Sequence, residues 1–101
     1  MPRRPETVEI IDLAPADRLM LLDEIALVSR ALKSTTACDK LNIAAIGNIV
    51  PQLHVHVVAR YRADAAWPGP VWGSGPAVAY APAERDKLLS GLLAALSSPT
   101  A

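Results

Sequence analysis

Phenylalanine is missing altogether, and the aromatic residues are limited to two tryptophans and two tyrosines in a chain that is 51% hydrophobic. Any core must therefore be built from Leu, Ile, Val and Ala. The single cysteine, Cys38, excludes an internal disulfide; it reads as a half-buried thiol rather than a nucleophile and fits a reducing, cytoplasmic compartment. Neither sign of charge is in excess, since 10 basic residues balance 10 acidic ones. No net field exists to hold a nucleic-acid backbone or an anionic membrane, and a bound anion would have to be gripped locally. No apolar run approaches the ~20 residues that cross a bilayer. Arg3, Arg4, Pro5 and Glu6 stand where a signal peptide would need an apolar core. Internal repeats are absent. What remains is 101 residues, the length of a single small domain that buries roughly 60 to 65% of its extended-chain surface and gains from oligomerisation.

Pro2 and Pro5 predict an exposed, irregular opening segment. Val8, Ile10 and Leu13 suggest a short extended piece running into Ala14-Pro15, where proline suits the first helical position because its missing N–H is not needed there. From Ala16 to about Lys33, Leu21, Ile25, Val28 and Leu32, flanked by Leu19 and Leu22, recur at the spacing of one buried helical face. Asp17 near the start and Arg30 and Lys33 near the end match the helix dipole. This helix is expected to supply core and a dimer face, and Ser34-Thr35-Thr36 to break it. Alternation from Leu41 to Ile46 predicts a strand leading into Gly47-Asn48. That dipeptide reverses the order favoured by two-residue hairpins, so with Ile49-Val50-Pro51 it predicts a longer loop and then an antiparallel partner strand. Further on, the stretch from Trp67 to Pro76 packs prolines, glycines and both tryptophans into a shaped loop. Ala81-Pro82 opens a second helix with Leu88, Leu89, Leu92, Leu93 and Leu96 on one side, ended by Ser97-Ser98-Pro99. Gly91 inside it costs ~1 kcal/mol against Ala, which makes this helix dependent on packing.

The chemistry concentrates in Pro51-Gln52-Leu53-His54-Val55-His56-Val57-Val58-Ala59-Arg60, which holds both histidines of the chain. Strict alternation predicts a strand with Gln52, His54, His56 and Val58 on one face and Leu53, Val55 and Val57 on the other. The apolar face is buried and the polar face looks into a cleft. Arg60, at the strand end, reads as solvated. Three roles are open to the histidines. They could be structural, each satisfied by a neighbour. They could share a metal ion, although with one cysteine the remaining ligands would have to be carboxylates, and Asp39, Asp64 and Glu84 have no spacing that points there. They could also serve phosphoryl chemistry, because a neutral imidazole is a good nucleophile near neutral pH and forms a phosphoramidate that water can later open. Flanking polar groups and N–H groups of the Gly47-Asn48 loop would then hold the phosphate oxygens.

Leu41-Asn42-Ile43-Ala44, Gly47-Asn48, the stretch from Val50 to Arg60 and Trp67-Pro68-Gly69 together resemble the histidine triad (HIT) family of nucleotide hydrolases and transferases, whose mark is three alternating histidines separated by apolar residues. Gln52 holds the first of the three positions, as in a proteobacterial subgroup whose loop reads Trp-Pro-Gly-Pro-Val-Trp-Gly. The resemblance implies an α+β domain over residues 1–101, with an antiparallel sheet and two packing helices, in a homodimer. It implies that His54 attacks the α-phosphorus of a nucleotide and that His56 contacts the phosphate or orients the nucleophile. Asn42 and Asn48 would contact the scissile phosphate region, and Trp67 would lie near the leaving group. Substrates would be dinucleoside polyphosphates or nucleoside phosphoramidates, with no cofactor or metal and neither nucleic acid nor membrane as a partner. Two departures follow. Glutamine cannot give up a proton, and general acid assistance is worth ~10² to 10⁴ in rate. The family's N-terminal segment that grips base and ribose also has no counterpart here, Pro2-Arg3-Arg4-Pro5 resembling its end. A non-catalytic nucleotide-binding module and a metal-binding interaction domain are the alternatives.

Overall fold

The computed structural model describes residues 4–97; Pro2, Arg3 and the helix stop at Ser98-Pro99 lie outside the described residues. Both Ala-Pro pairs open helices, α1 at Pro15–Thr36 and α2 at Pro82–Leu96. Helix α1 runs through Ser34-Thr35-Thr36 instead of breaking there. The Ser34 hydroxyl donates to the Ala31 carbonyl at 3.1 Å and that of Thr36 to the Leu32 carbonyl at 2.7 Å, so both bond back onto the helix rather than compete with it. The helix stops at Ala37, in the left-handed region at φ 52°, with its N–H on the Lys33 carbonyl. The piece from Val8 to Leu13 is not extended. The Asp12 carboxylate accepts from the N–H groups of Val8 and Glu9 at 3.2 and 2.8 Å and draws the chain into a 3₁₀ turn, Ile10–Asp12.

Strands β1, Lys40–Ala44, and β2, His56–Arg60, form a two-stranded antiparallel sheet. The long loop between them is as predicted, but both strands are shorter than the alternation suggested. Beyond Ala44 the chain swings away, with Gly47 at φ 64°, and residues 51–55 lose their partner. Leu53 N–H bonds instead to the Thr7 carbonyl at 2.8 Å. Alternation fixes which side chains share a face, whereas a ladder also needs a neighbouring strand. The register sets Lys40 opposite Arg60, Asn42 opposite Val58 and Ala44 opposite His56, so these six share one face. On the other face, Val55 and Val57 meet Leu21, Ile25 and Val28 of α1.

The apolar core is thin: among the described residues Leu13, Ala31 and Cys38 are the buried apolar ones, and Cys38 lies deeper than half-buried. Helix α1 packs on α2 and β2 only along one side, which leaves Leu19 and Leu22 more than 60% exposed. On α2, Leu88 and Leu92 are half-buried while Leu89, Leu93 and Leu96 are exposed, so the leucine stripe is wider than the surface that covers it. The radius of gyration, 15.0 Å, exceeds the ~13 Å of a compact chain of this length. Gly91 marks where the helices touch, because a Cβ there would fall 2.7 Å from Cγ2 of Thr35. No helix among the described residues is long and apolar enough to cross a membrane.

Candidate functional site around His54 and His56

Helix α1 covers the Val55 and Val57 face of β2, so His56 points the other way, and His54 precedes the strand in the same phase. The two rings stand edge to face with centroids 5.1 Å apart. His54 is exposed, and its Nδ1 lies 2.7 Å from the carbonyl oxygen of Gln52. A carbonyl only accepts, so Nδ1 is the donor and the proton sits there, which leaves the Nε2 lone pair free to accept a proton or attack an electrophile. A cleft of about 90 Å³ borders the ring, lined also by Gly47, Asn48, Pro51 and Glu9. Asn48 and His54 thus share one space.

The other expected site residues are disposed differently. The Gln52 carbonyl is the partner of His54, but its side-chain amide donates to the Arg4 carbonyl at 2.8 Å, tying the first described residue to the histidine segment. Arg4 in turn makes a two-bond ion pair with Asp17 of α1, at 2.9 and 3.0 Å. The hydrogen bonds from Arg4 hold the Asp17 carboxyl below its usual range. Asn42 lies on the His56 face, with its Oδ1 accepting from Arg60 at 2.6 Å. Trp67 packs over the Arg60 guanidinium, whose carbon is 5.7 Å from the ring centre. The indole that meets His56 is Trp72, edge to face at 5.5 Å.

Arg60 is the residue most at odds with its sequence reading. Far from solvated, it is 2% exposed and is the largest fully buried side chain among the described residues. Its guanidinium forks onto both oxygens of Asp64 at 2.9 and 3.1 Å and also donates to the Gly69 carbonyl at 2.7 Å. A buried charge demands such partners. The Arg60 hydrogen bonds, with a second contribution from the Tyr61 N–H, hold the Asp64 carboxyl far below the ordinary carboxylate range. The signal for Arg60 was present, because residues 52, 54, 56, 58 and 60 fall in one phase of the alternation. Its partners on the following loop carried no such pattern. Among the described residues, no group of three or more His, Cys, Asp or Glu side chains is arranged to hold a metal ion.

These features define a small α+β protein whose second strand and the segment just before it present paired imidazoles beside an open cleft. The HIT domain family profile matches residues 1–63, and the chain belongs to that family. It is similar to a histidine triad protein from Bradyrhizobium japonicum, 55% identical with a TM-score of 0.90, over 94% of this chain and 71% of that one. A histidine triad protein from Sinorhizobium meliloti is 44% identical with a TM-score of 0.86, over 92% and 69% of the two chains. One from Marinobacter aquaeolei is 40% identical with a TM-score of 0.85, over 94% and 69%. No curated protein matches the chain. Membership of the family supports a nucleotide-binding or nucleotide hydrolase or transferase role.

Proposed function

We propose that the protein is a nucleotide-phosphate hydrolase or nucleotidyl transferase acting on dinucleoside polyphosphates or nucleoside phosphoramidates. The observation that carries this reading is the bond from His54 Nδ1–H to the Gln52 carbonyl, which leaves Nε2 as the attacking atom on an exposed ring. Nε2 forms a bond to the α-phosphorus as the leaving group departs with the electrons of the broken bond, a phosphate through its P–O bond or, from a phosphoramidate, an amine whose nitrogen takes a proton from solvent. Water then opens the nucleotidyl-histidine. His56, Asn48 and the N–H groups of the Gly47 loop hold the non-bridging oxygens, and Asn42 and Trp67 serve the phosphate region and leaving group as the resemblance implies. Gln52 can donate a hydrogen bond but not a proton, and its amide must first release Arg4. Slow turnover, favouring leaving groups that need no acid, is expected. The exposed Leu19 and Leu22 side of α1 is the surface through which the chain forms a homodimer, in the cytoplasm.

The same engagement of Gln52 favours the second reading, a nucleotide-binding module without turnover. Hydrolysis of adenosine 5′-phosphoramidate and of a diadenosine polyphosphate, beside His54→Asn, decides between them. Turnover lost in the variant is the expected result. Nucleotide binding by a folded protein with no turnover on either substrate would replace the enzyme with the module.

A further inference from the structure

The chain does something more with Arg60 than bury it. From one guanidinium, hydrogen bonds run to Asn42 on β1, to Asp64 just past β2 and to the Gly69 carbonyl, with Trp67 lying over the same group. Asp64 carries the hub further, since its carboxylate accepts the Tyr61 N–H and its carbonyl the Trp67 N–H. Residues 61–69 are thereby pinned on the sheet face that bears His56. Three residues beyond Gly69 comes Trp72. It occupies the second position of a turn closed by the Ser74 N–H and hydroxyl on the Val71 carbonyl, at 3.2 and 2.7 Å. Gly73 in that turn has φ 77°, a conformation suited to the third turn position and to glycine. A Cβ at Gly73 would meet nothing within 4 Å, so conformation rather than space requires the glycine. The turn sets the Trp72 ring edge-on against His56, which stands edge-on against His54.

We propose that Arg60 is a positioning residue of the histidine site, fixing the 61–74 loop so that Trp72 packs on His56 and holds its ring in the orientation the site uses. The proposal rests on His54 and His56 being the working site. It assigns to Trp72, rather than Trp67, the aromatic contact within one chain. Lysine would supply the charge at position 60 but not a planar fork able to reach Asn42, Asp64 and Gly69 together.

The test compares Arg60→Met, Arg60→Lys, Asp64→Asn, Trp72→Leu and the double variant Arg60→Met/Trp72→Leu. The His56 ring-proton shifts are read by NMR, together with kcat and KM on adenosine 5′-phosphoramidate. Trp72→Leu removes the indole ring current from His56 and sets the reference shift. Arg60→Met and Arg60→Lys are expected to move the His56 signals to that reference, and the double variant to add nothing further. The kcat value is expected to fall by up to about 10²-fold with KM little changed, the signature of a misplaced group. Should Arg60→Met fail to fold, Asp64→Asn, at a part-exposed carboxylate, gives the same readout. His56 signals left in the wild-type position by folded Arg60 and Asp64 variants would overturn the proposal, as would additive effects of Arg60 and Trp72. The NMR readout needs no turnover, so a wild-type protein without activity would remove the enzyme reading and leave this coupling standing or falling by itself.

Discussion

Replacing Gly91 by alanine tests the packing of the two helices most directly. In an unobstructed helix interior the change stabilises by ~1 kcal/mol, because alanine loses less backbone entropy than glycine. Here the new Cβ would fall 2.7 Å from Thr35 Cγ2, while Thr35 Cβ and Oγ1 lie at an ordinary 3.8 Å. Threonine is branched at Cβ and restricted in χ1 on a helix, so its methyl cannot simply swing aside. Overpacking of this kind typically costs ~1 to 3 kcal/mol. The sum for Gly91→Ala is therefore between about zero and 2 kcal/mol of destabilisation, reversing the sign that propensity alone gives. Thr35→Ala deletes Cγ2 and should release the clash, so that Gly91→Ala in that background stabilises by ~1 kcal/mol. Urea unfolding followed by far-ultraviolet circular dichroism measures the four corners of the cycle, and a coupling of ~1 to 3 kcal/mol is expected. Each kcal/mol corresponds to roughly 4 to 8 °C in Tm for a domain of this size. Gly91→Ala stabilising both backgrounds equally would show that the helices do not meet at this point.

Two further outcomes are expected. The carboxyls of Asp64 and Asp17 are both held below the ordinary range by their arginine partners. Their contribution is complete above the unfolded carboxylate pKa of about 3.9 and is lost as pH falls through that value toward the lowered folded pKa. The urea midpoint should drop below about pH 5 and do so less steeply in Asp64→Asn; superimposable pH profiles would refute the assignment. Gln52→Ala removes the bond to the Arg4 carbonyl, a loss of ~0.5 to 1.5 kcal/mol. It should also speed amide exchange at Leu53, whose N–H bonds to Thr7 of the same segment, and unchanged exchange would show that Gln52 does not anchor the N-terminal residues.

Local chemistry made much of this protein legible. The Ala-Pro pairs located both helix starts because proline's fixed φ and missing N–H suit a first turn wherever it occurs. The reversed Gly47-Asn48 order predicted a long loop for an equally local reason. Pro51 to Val55, by contrast, alternates as well as any strand and is not one, because no strand lies beside it. Ser34 to Thr36 resembles a helix stop, yet its hydroxyls had carbonyls one turn back to bond. Of the candidate site, His54 stands against His56 and shares a cleft with Asn48. Trp67 takes a place on Arg60, and Trp72 takes the place beside His56.

By itself the sequence determined where both α-helices start, in which phase of the alternation the histidines fall and which family the motif resembles, since all of these follow from spacing along the chain. The tertiary structure decided that Arg60 is buried. A guanidinium at a strand end is solvated or buried according to whether carboxylate, amide and carbonyl partners converge on it. Asn42, Asp64 and Gly69 converge only once the sheet has paired and the loop has folded back. It likewise decided which tryptophan reaches the histidines, because distance along the chain does not fix where a loop sets its rings.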